Sequence, residues 1–177
     1  GVVNVVADVT PAFRIFGSTT EGENQYSVSD IVIDGFCITG SYSGVQIIGA
    51  NRITVRNCKI HAIDDPHPGD YDQQRMIDLT DGESDGCIIE KNMLGDLNDA
   101  VANRWAVGII GATNTKIYNN TMLKAGCALC QLAGSGTEFR NNIAYDMLDP
   151  VMWVDTGASS VAHSNNLWFN TLRYCQD

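Results

Sequence analysis

One short phrase recurs six times along this chain: an apolar residue (His163 in the last copy), a polar one, a corner pair rich in asparagine, then an apolar residue at the sixth place. It reads Ile33-Asp34-Gly35-Phe36-Cys37-Ile38, then Val55-Arg56-Asn57-Cys58-Lys59-Ile60, then Ile89-Glu90-Lys91-Asn92-Met93-Leu94. It returns as Ile117-Tyr118-Asn119-Asn120-Thr121-Met122, Phe139-Arg140-Asn141-Asn142-Ile143-Ala144 and His163-Ser164-Asn165-Asn166-Leu167-Trp168. Indexed on positions 35, 57, 91, 119, 141 and 165, the spacings are 22, 34, 28, 22 and 24. A period near 22 with insertions is the signature of a solenoid. No single repeat can bury its apolar face alone, so neighbours must stack.

Helix signals are nearly absent: no long stripe of period 3.6 carries caps. Short β-branched runs between Gly, Asn and Asp dominate. Each repeat divides into three strands. In one of them Val45-Gln46-Ile47-Ile48 is a first strand, Ile53-Thr54-Val55 a second and Lys59-Ile60-His61 a third, with a tight corner at Asn57-Cys58. First strands follow at 76–79, 107–110, 129–132 and 151–154. Stacked, they align Val45, Met76, Val107, Leu129 and Val151 in one inward column. Ile48, Leu79, Ile110, Leu132 and Val154 form another. Both columns are wholly apolar, which supports the register.

The corner column Asn92, Asn120, Asn142 and Asn166 has a physical reason. A sharp corner leaves backbone N–H and C=O groups that cannot pair within the repeat. An amide side chain carries both a donor and an acceptor. Stacked about 4.8 Å apart, one amide can bond the next and the corner backbone as well. Asn also tolerates the left-handed backbone that a corner requires. Asn119-Asn120-Thr121 matches a glycosylation sequon, but the ladder is the preferred reading there.

These features resemble the right-handed parallel β-helix of the pectin-lyase-like superfamily, over residues 29–170. The expected fold is all-β: one parallel β-helix domain over 1–177, with six to seven rungs and an Asn ladder. The opening residues, Gly1 to Val6, read as a strand already under way, as in a mature form or a piece of a longer solenoid. The resemblance implies a substrate groove over the outer face of the first strands, walled by the loops from third to first strands. The superfamily contains polysaccharide lyases, hydrolases and uronan epimerases, and also tailspikes and adhesins.

The sequence supports that groove independently. The two longest insertions, 62–75 and 95–106, fall in that loop, and selective elaboration of one edge marks a binding face. The outward first-strand column is expected to hold Ile47, Asp78, Ile109, Gln131 and Trp153. Asp78 with His67, Arg75 and Arg104 forms the candidate catalytic cluster, supplying acid–base and cationic groups. Gln46, Gln131, Trp105 and Trp153 are candidate substrate contacts, an aromatic face offering apolar area to a sugar ring. Asp65, Asp99 and Asp149 share a column with Cys127, and Asp96, Lys124 and Asp146 share another. Carboxylates about 5 Å apart repel, and Ca²⁺ would relieve them. A solvated acidic loop is the competing reading. Asp65-Pro66-His67 is similar to the core of the mannuronan C5-epimerase motif, but the residues flanking that core differ here. His61 and His163 read as structural.

Composition narrows the partners. With 21 acidic and 11 basic residues the net charge is −10, so no basic patch exists to neutralise nucleic-acid phosphates. No apolar run approaches a membrane span. The six cysteines read mostly as small buried apolar residues in stacks, and Cys37 and Cys58 sit on opposite faces of their strands. Two functions compete. One is a polysaccharide-processing β-helix, secreted or at the cell surface. The other is a non-catalytic glycan-binding or structural module, which could self-associate through open helix ends.

Overall fold

Apolar triplets separated by residues that accept a left-handed backbone fold naturally into short strands joined by sharp corners. The computed structural model of the chain describes residues 3–6, 11–17, 28–41, 43–61, 74–80, 84–95, 105–148, 150–171 and 175–176. Its strands form three sheets, and every pairing between them is parallel. The first sheet has seven strands: Phe13–Phe16, Val45–Ile48, Arg75–Leu79, Trp105–Thr113, Cys127–Ser135, Met152–Val154 and Cys175–Gln176. The second has six: Val32–Asp34, Thr54–Arg56, Ile88–Glu90, Lys116–Tyr118, Glu138–Arg140 and Ala162–Ser164. The third has seven: Val3–Val6, Phe36–Thr39, Lys59–His61, Met93–Gly95, Thr121–Leu123, Ile143–Tyr145 and Leu167–Phe169. The chain visits the sheets in turn, so each circuit adds one rung to a solenoid. Among the described residues no helix is long and apolar enough to cross a membrane.

The core is a set of stacked columns. Ile33, Val55, Ile89, Ile117 and Phe139 line the second sheet's inner face, and Ile38, Ile60, Leu94, Met122 and Ala144 that of the third. All ten are buried, and each large member gains about 1.5–3 kcal/mol from leaving water. Trp168 continues the third-sheet column above Ala144 and lies over Phe139, with ring centroids 5.8 Å apart and planes 15° from parallel.

The corner between second and third strands divides its work between two residues. Gly35, Asn57, Lys91, Asn119, Asn141 and Asn165 all have φ between 52° and 78°. The next residue turns inward. Asn92 Nδ2 donates to Val55 O at 2.9 Å and to Asn120 Oδ1 at 3.0 Å. Asn120 repeats this toward Ile89 O and Asn142, and Asn142 toward Ile117 O and Asn166. Each Oδ1 also accepts the backbone N–H of the ladder residue one rung earlier. Cys58 occupies the same position on the preceding rung. Its N–H donates to Asn92 Oδ1 at 3.0 Å, and its thiol reaches Ile33 O at only 3.8 Å.

The first-sheet register differs from the expectation by one residue on two strands. Val45 aligns with Ile77 rather than Met76, and Leu129 with Met152 rather than Val151. Both members of each adjacent pair are buried, so apolar columns could not tell them apart. The outward column is therefore corrected to Arg14, Gln46, Asp78, Gly108, Cys130 and Trp153. Ile47, Ile109 and Gln131 belong to the inner column instead, because successive side chains alternate between faces.

Candidate functional site

Three outer faces compete for a role. The second sheet carries charges that largely neutralise one another. Arg52 donates to both oxygens of Asp30 at 2.7 Å, and Arg56 pairs with Asp34 at 2.9 Å. The Arg52 hydrogen bonds, with help from Ser29, hold the Asp30 carboxyl down at about 2. These exposed pairs are worth little to stability.

The first sheet is different, because its charged pair is buried. Arg75 and Asp78 stand three residues apart on one strand, with side chains only 12% and 5% exposed. Arg75 Nη1 donates to Asp78 Oδ1 at 2.7 Å, and Gln46 Nε2 on the neighbouring strand donates to Oδ2 at 3.3 Å. The guanidinium lies over the Trp105 ring, 4.9 Å from its centroid, a cation–π placement. Room for it comes from Gly108. A Cβ there would fall 2.2 Å from Arg75 Cδ and 2.8 Å from Nε. Trp105, Cys127 and Cys130 pack together with Leu132 as a second apolar cluster on this outer face.

This arrangement sets what the chemistry can be. Both Asp78 oxygens accept hydrogen bonds from protein donors, so the carboxylate acts first as the counter-ion that positions Arg75. Removing either partner alone strands a buried charge, at a cost of about 3–5 kcal/mol. Trp153 lies in the same outward column, three strands from Asp78 and 37% exposed. At about 4.8 Å per strand the two stand roughly 14 Å apart along the sheet. The outward column is thus extended: Arg14, Gln46 and the Arg75–Asp78 pair toward one end, Cys130 and Trp153 toward the other.

The structure brings together four of the residues singled out from sequence: Gln46, Arg75, Asp78 and Trp105. Gln131 is fully buried, and its Nε2 donates to Gly134 O at 3.3 Å. His67, Arg104, Asp65, Asp99 and Asp149 lie outside the described residues, as do Asp96 and most of the two long loops. Among the described residues no three metal-ligating side chains gather. Cys127, which shares the proposed carboxylate column, is wholly buried beside Trp105. Sequence reasoning missed Arg14, Gly108 and Cys130. A glycine inside the Val107-Gly108-Ile109 strand was the available signal, since such a glycine often marks a close approach.

The stacked parallel rungs agree with the sequence comparison. The family described as right-handed beta helix region matches residues 43–175, three quarters of the chain. The chain belongs to the right-handed β-helix family. A search of curated proteins finds no match. Membership in the β-helix family explains the scaffold, and a scaffold of this kind does not by itself specify a function. The function must be argued from the outer face of the first sheet.

Proposed function

We propose that this β-helix binds an extended neutral glycan along the outer face of its first sheet. The observation that carries the reading is the straight outward column from Gln46 through the Arg75–Asp78 pair to Trp153. It offers an amide and a guanidinium edge for hydroxyl groups at one end, and an exposed indole for a sugar face at the other. The long connectors 62–75 and 95–106 join the third sheet to the first, the sheet that carries that column. A neutral ligand suits a chain of net charge −10, which disfavours polyanions. The reading carries with it a secreted or cell-surface location.

The saturated carboxylate of Asp78 supports binding over proton transfer. A processing enzyme is the second reading. It is favoured by the burial of an ion pair in the groove floor, which is costly to fold and is retained at working sites.

Calorimetry against a panel of neutral and acidic oligosaccharides tests both. We expect binding to a neutral member, and a loss of about tenfold or more in Trp153→Ala. Absence of binding across the panel would overturn the binding reading. Release of products from any panel member, abolished in Asp78→Asn, would establish the enzymatic one.

A further inference from the structure

The third sheet carries a second cluster of reactive side chains that the groove does not use. Cys37 and His61 lie on neighbouring strands of its outer face, because Ile38 and Ile60 beside them point into the core. Cys37 Sγ and His61 Nε2 are 3.4 Å apart, within hydrogen-bonding reach for sulfur. Lys59 stands directly across from Cys37 in register and is exposed. Thiol, imidazole and ammonium therefore share one solvent-facing patch.

Four other cysteines are shielded. Cys58, Cys87, Cys127 and Cys130 are at most 2% exposed. The Cys58 thiol reaches Ile33 O and Arg56 O, and the Cys87 thiol reaches Ala50 O. Burial pushes both thiols up, away from the reactive thiolate. Cys37 is only half-buried, and it forms no disulfide.

We propose that Cys37, with His61 as its proton partner, is a site of reversible mixed-disulfide formation with small disulfides. His61 Nε2 takes the thiol proton. The Cys37 sulfur then attacks one sulfur of the incoming disulfide, forming one S–S bond as the old one breaks. The departing thiolate recovers the proton from His61. The small disulfide is the only oxidant required, and one molecule of thiol leaves for each one attached. Lys59, in register with Cys37 on the neighbouring strand, adds a positive charge to this patch and so favours anionic disulfides. Cys58, held at the buried corner, is not placed to resolve the adduct, so the mixed disulfide is the end point.

The folded chain is treated with oxidised glutathione, and the adduct is located by peptide mass. We expect a single rapid adduct on Cys37, reversed by a reducing thiol. His61→Gln should slow its formation by about tenfold or more, with the melting temperature unchanged. Lys59→Gln should slow reaction with oxidised glutathione but not with uncharged hydroxyethyl disulfide. This second variant keeps the test decisive if His61→Gln proves unstable. A Cys37 rate no faster than in the urea-unfolded chain would overturn the proposal. So would an unchanged rate in His61→Gln, or rapid adduct formation only at Cys175.

Discussion

Asn120→Ala probes the ladder at its middle, where each bond can be accounted for. In the native chain Asn120 Nδ2 donates to Ile89 O at 2.9 Å and to Asn142 Oδ1 at 3.1 Å. Its Oδ1 accepts Asn92 N–H and Asn92 Nδ2, both at 3.0 Å. Truncation leaves Asn92 N–H without its acceptor and removes a donor from Ile89 O. Asn142 Oδ1 keeps its bond from Asn120 N–H, because that donor is backbone. Asn120 is 1% exposed, so water does not readily replace the lost partners. An orphaned N–H and a carbonyl short of one donor, at about 1–3 kcal/mol each, give an expected loss of about 2–6 kcal/mol. Chemical denaturation measures the sum. Amide hydrogen exchange separates the parts: Asn92 N–H should exchange much faster, while Asn120 N–H should stay protected. A loss below about 0.5 kcal/mol, within the range of ordinary surface changes, would refute the ladder as an energetic device. So would equal exchange at the two amides. Asn120→Asp adds a pH test. A carboxylate facing Ile89 O and Asn142 Oδ1 favours its protonated form, so its folded pKa rises above the unfolded value near 3.9. The folded state then holds the extra proton. The variant should be most stable below about pH 4 and should lose stability as pH rises through the folded pKa.

Further outcomes follow from the same geometry. Cys58→Asn places an amide where a thiol now makes a long contact with Ile33 O, and should stabilise the chain by about 0.5–1 kcal/mol, read as a raised denaturation midpoint. Gly108→Ala drives a methyl into Arg75, so it should cost about 1–3 kcal/mol and alter the emission of Trp105 as the guanidinium leaves its ring. Arg52→Gln should return the Asp30 titration from about 2 toward 3.8, as followed by NMR. The sign is that of a depressed carboxyl: the small stability this exposed pair contributes is present above pH 4 and lost as pH falls toward 2, so Arg52→Gln should flatten that stretch of the acid-unfolding curve only slightly.

The repeat phrase by itself determined the architecture. Strand pairing imposes one fixed spacing per rung, and the corner needs a left-handed residue followed by a side chain with both donor and acceptor. Those demands fall on adjacent residues, so the pairs Asn119-Asn120, Asn141-Asn142 and Asn165-Asn166 display them openly. Register across the second and third sheets was legible for the same reason, because a constant short corner ties each strand to its neighbour. The first sheet lacked that tie. The connectors into it vary in length, from three residues before Cys127 to thirteen before Arg75, and the adjacent apolar residues Met76 and Ile77, or Val151 and Met152, satisfy an inward column equally well. A one-residue error of facing reverses every side chain of a strand, and on Cys127–Ser135 it put Gln131 rather than Cys130 on the outer face. Only the tertiary structure decided that Arg75 folds across Gly108 onto Trp105, that Gln46 and Arg75 occupy both oxygens of Asp78, and that His61 reaches Cys37. These contacts join residues 3 to 33 positions apart through side-chain direction and packing space. A linear pattern of residue types records the stacking of the backbone but not the path that a long side chain takes across its neighbours.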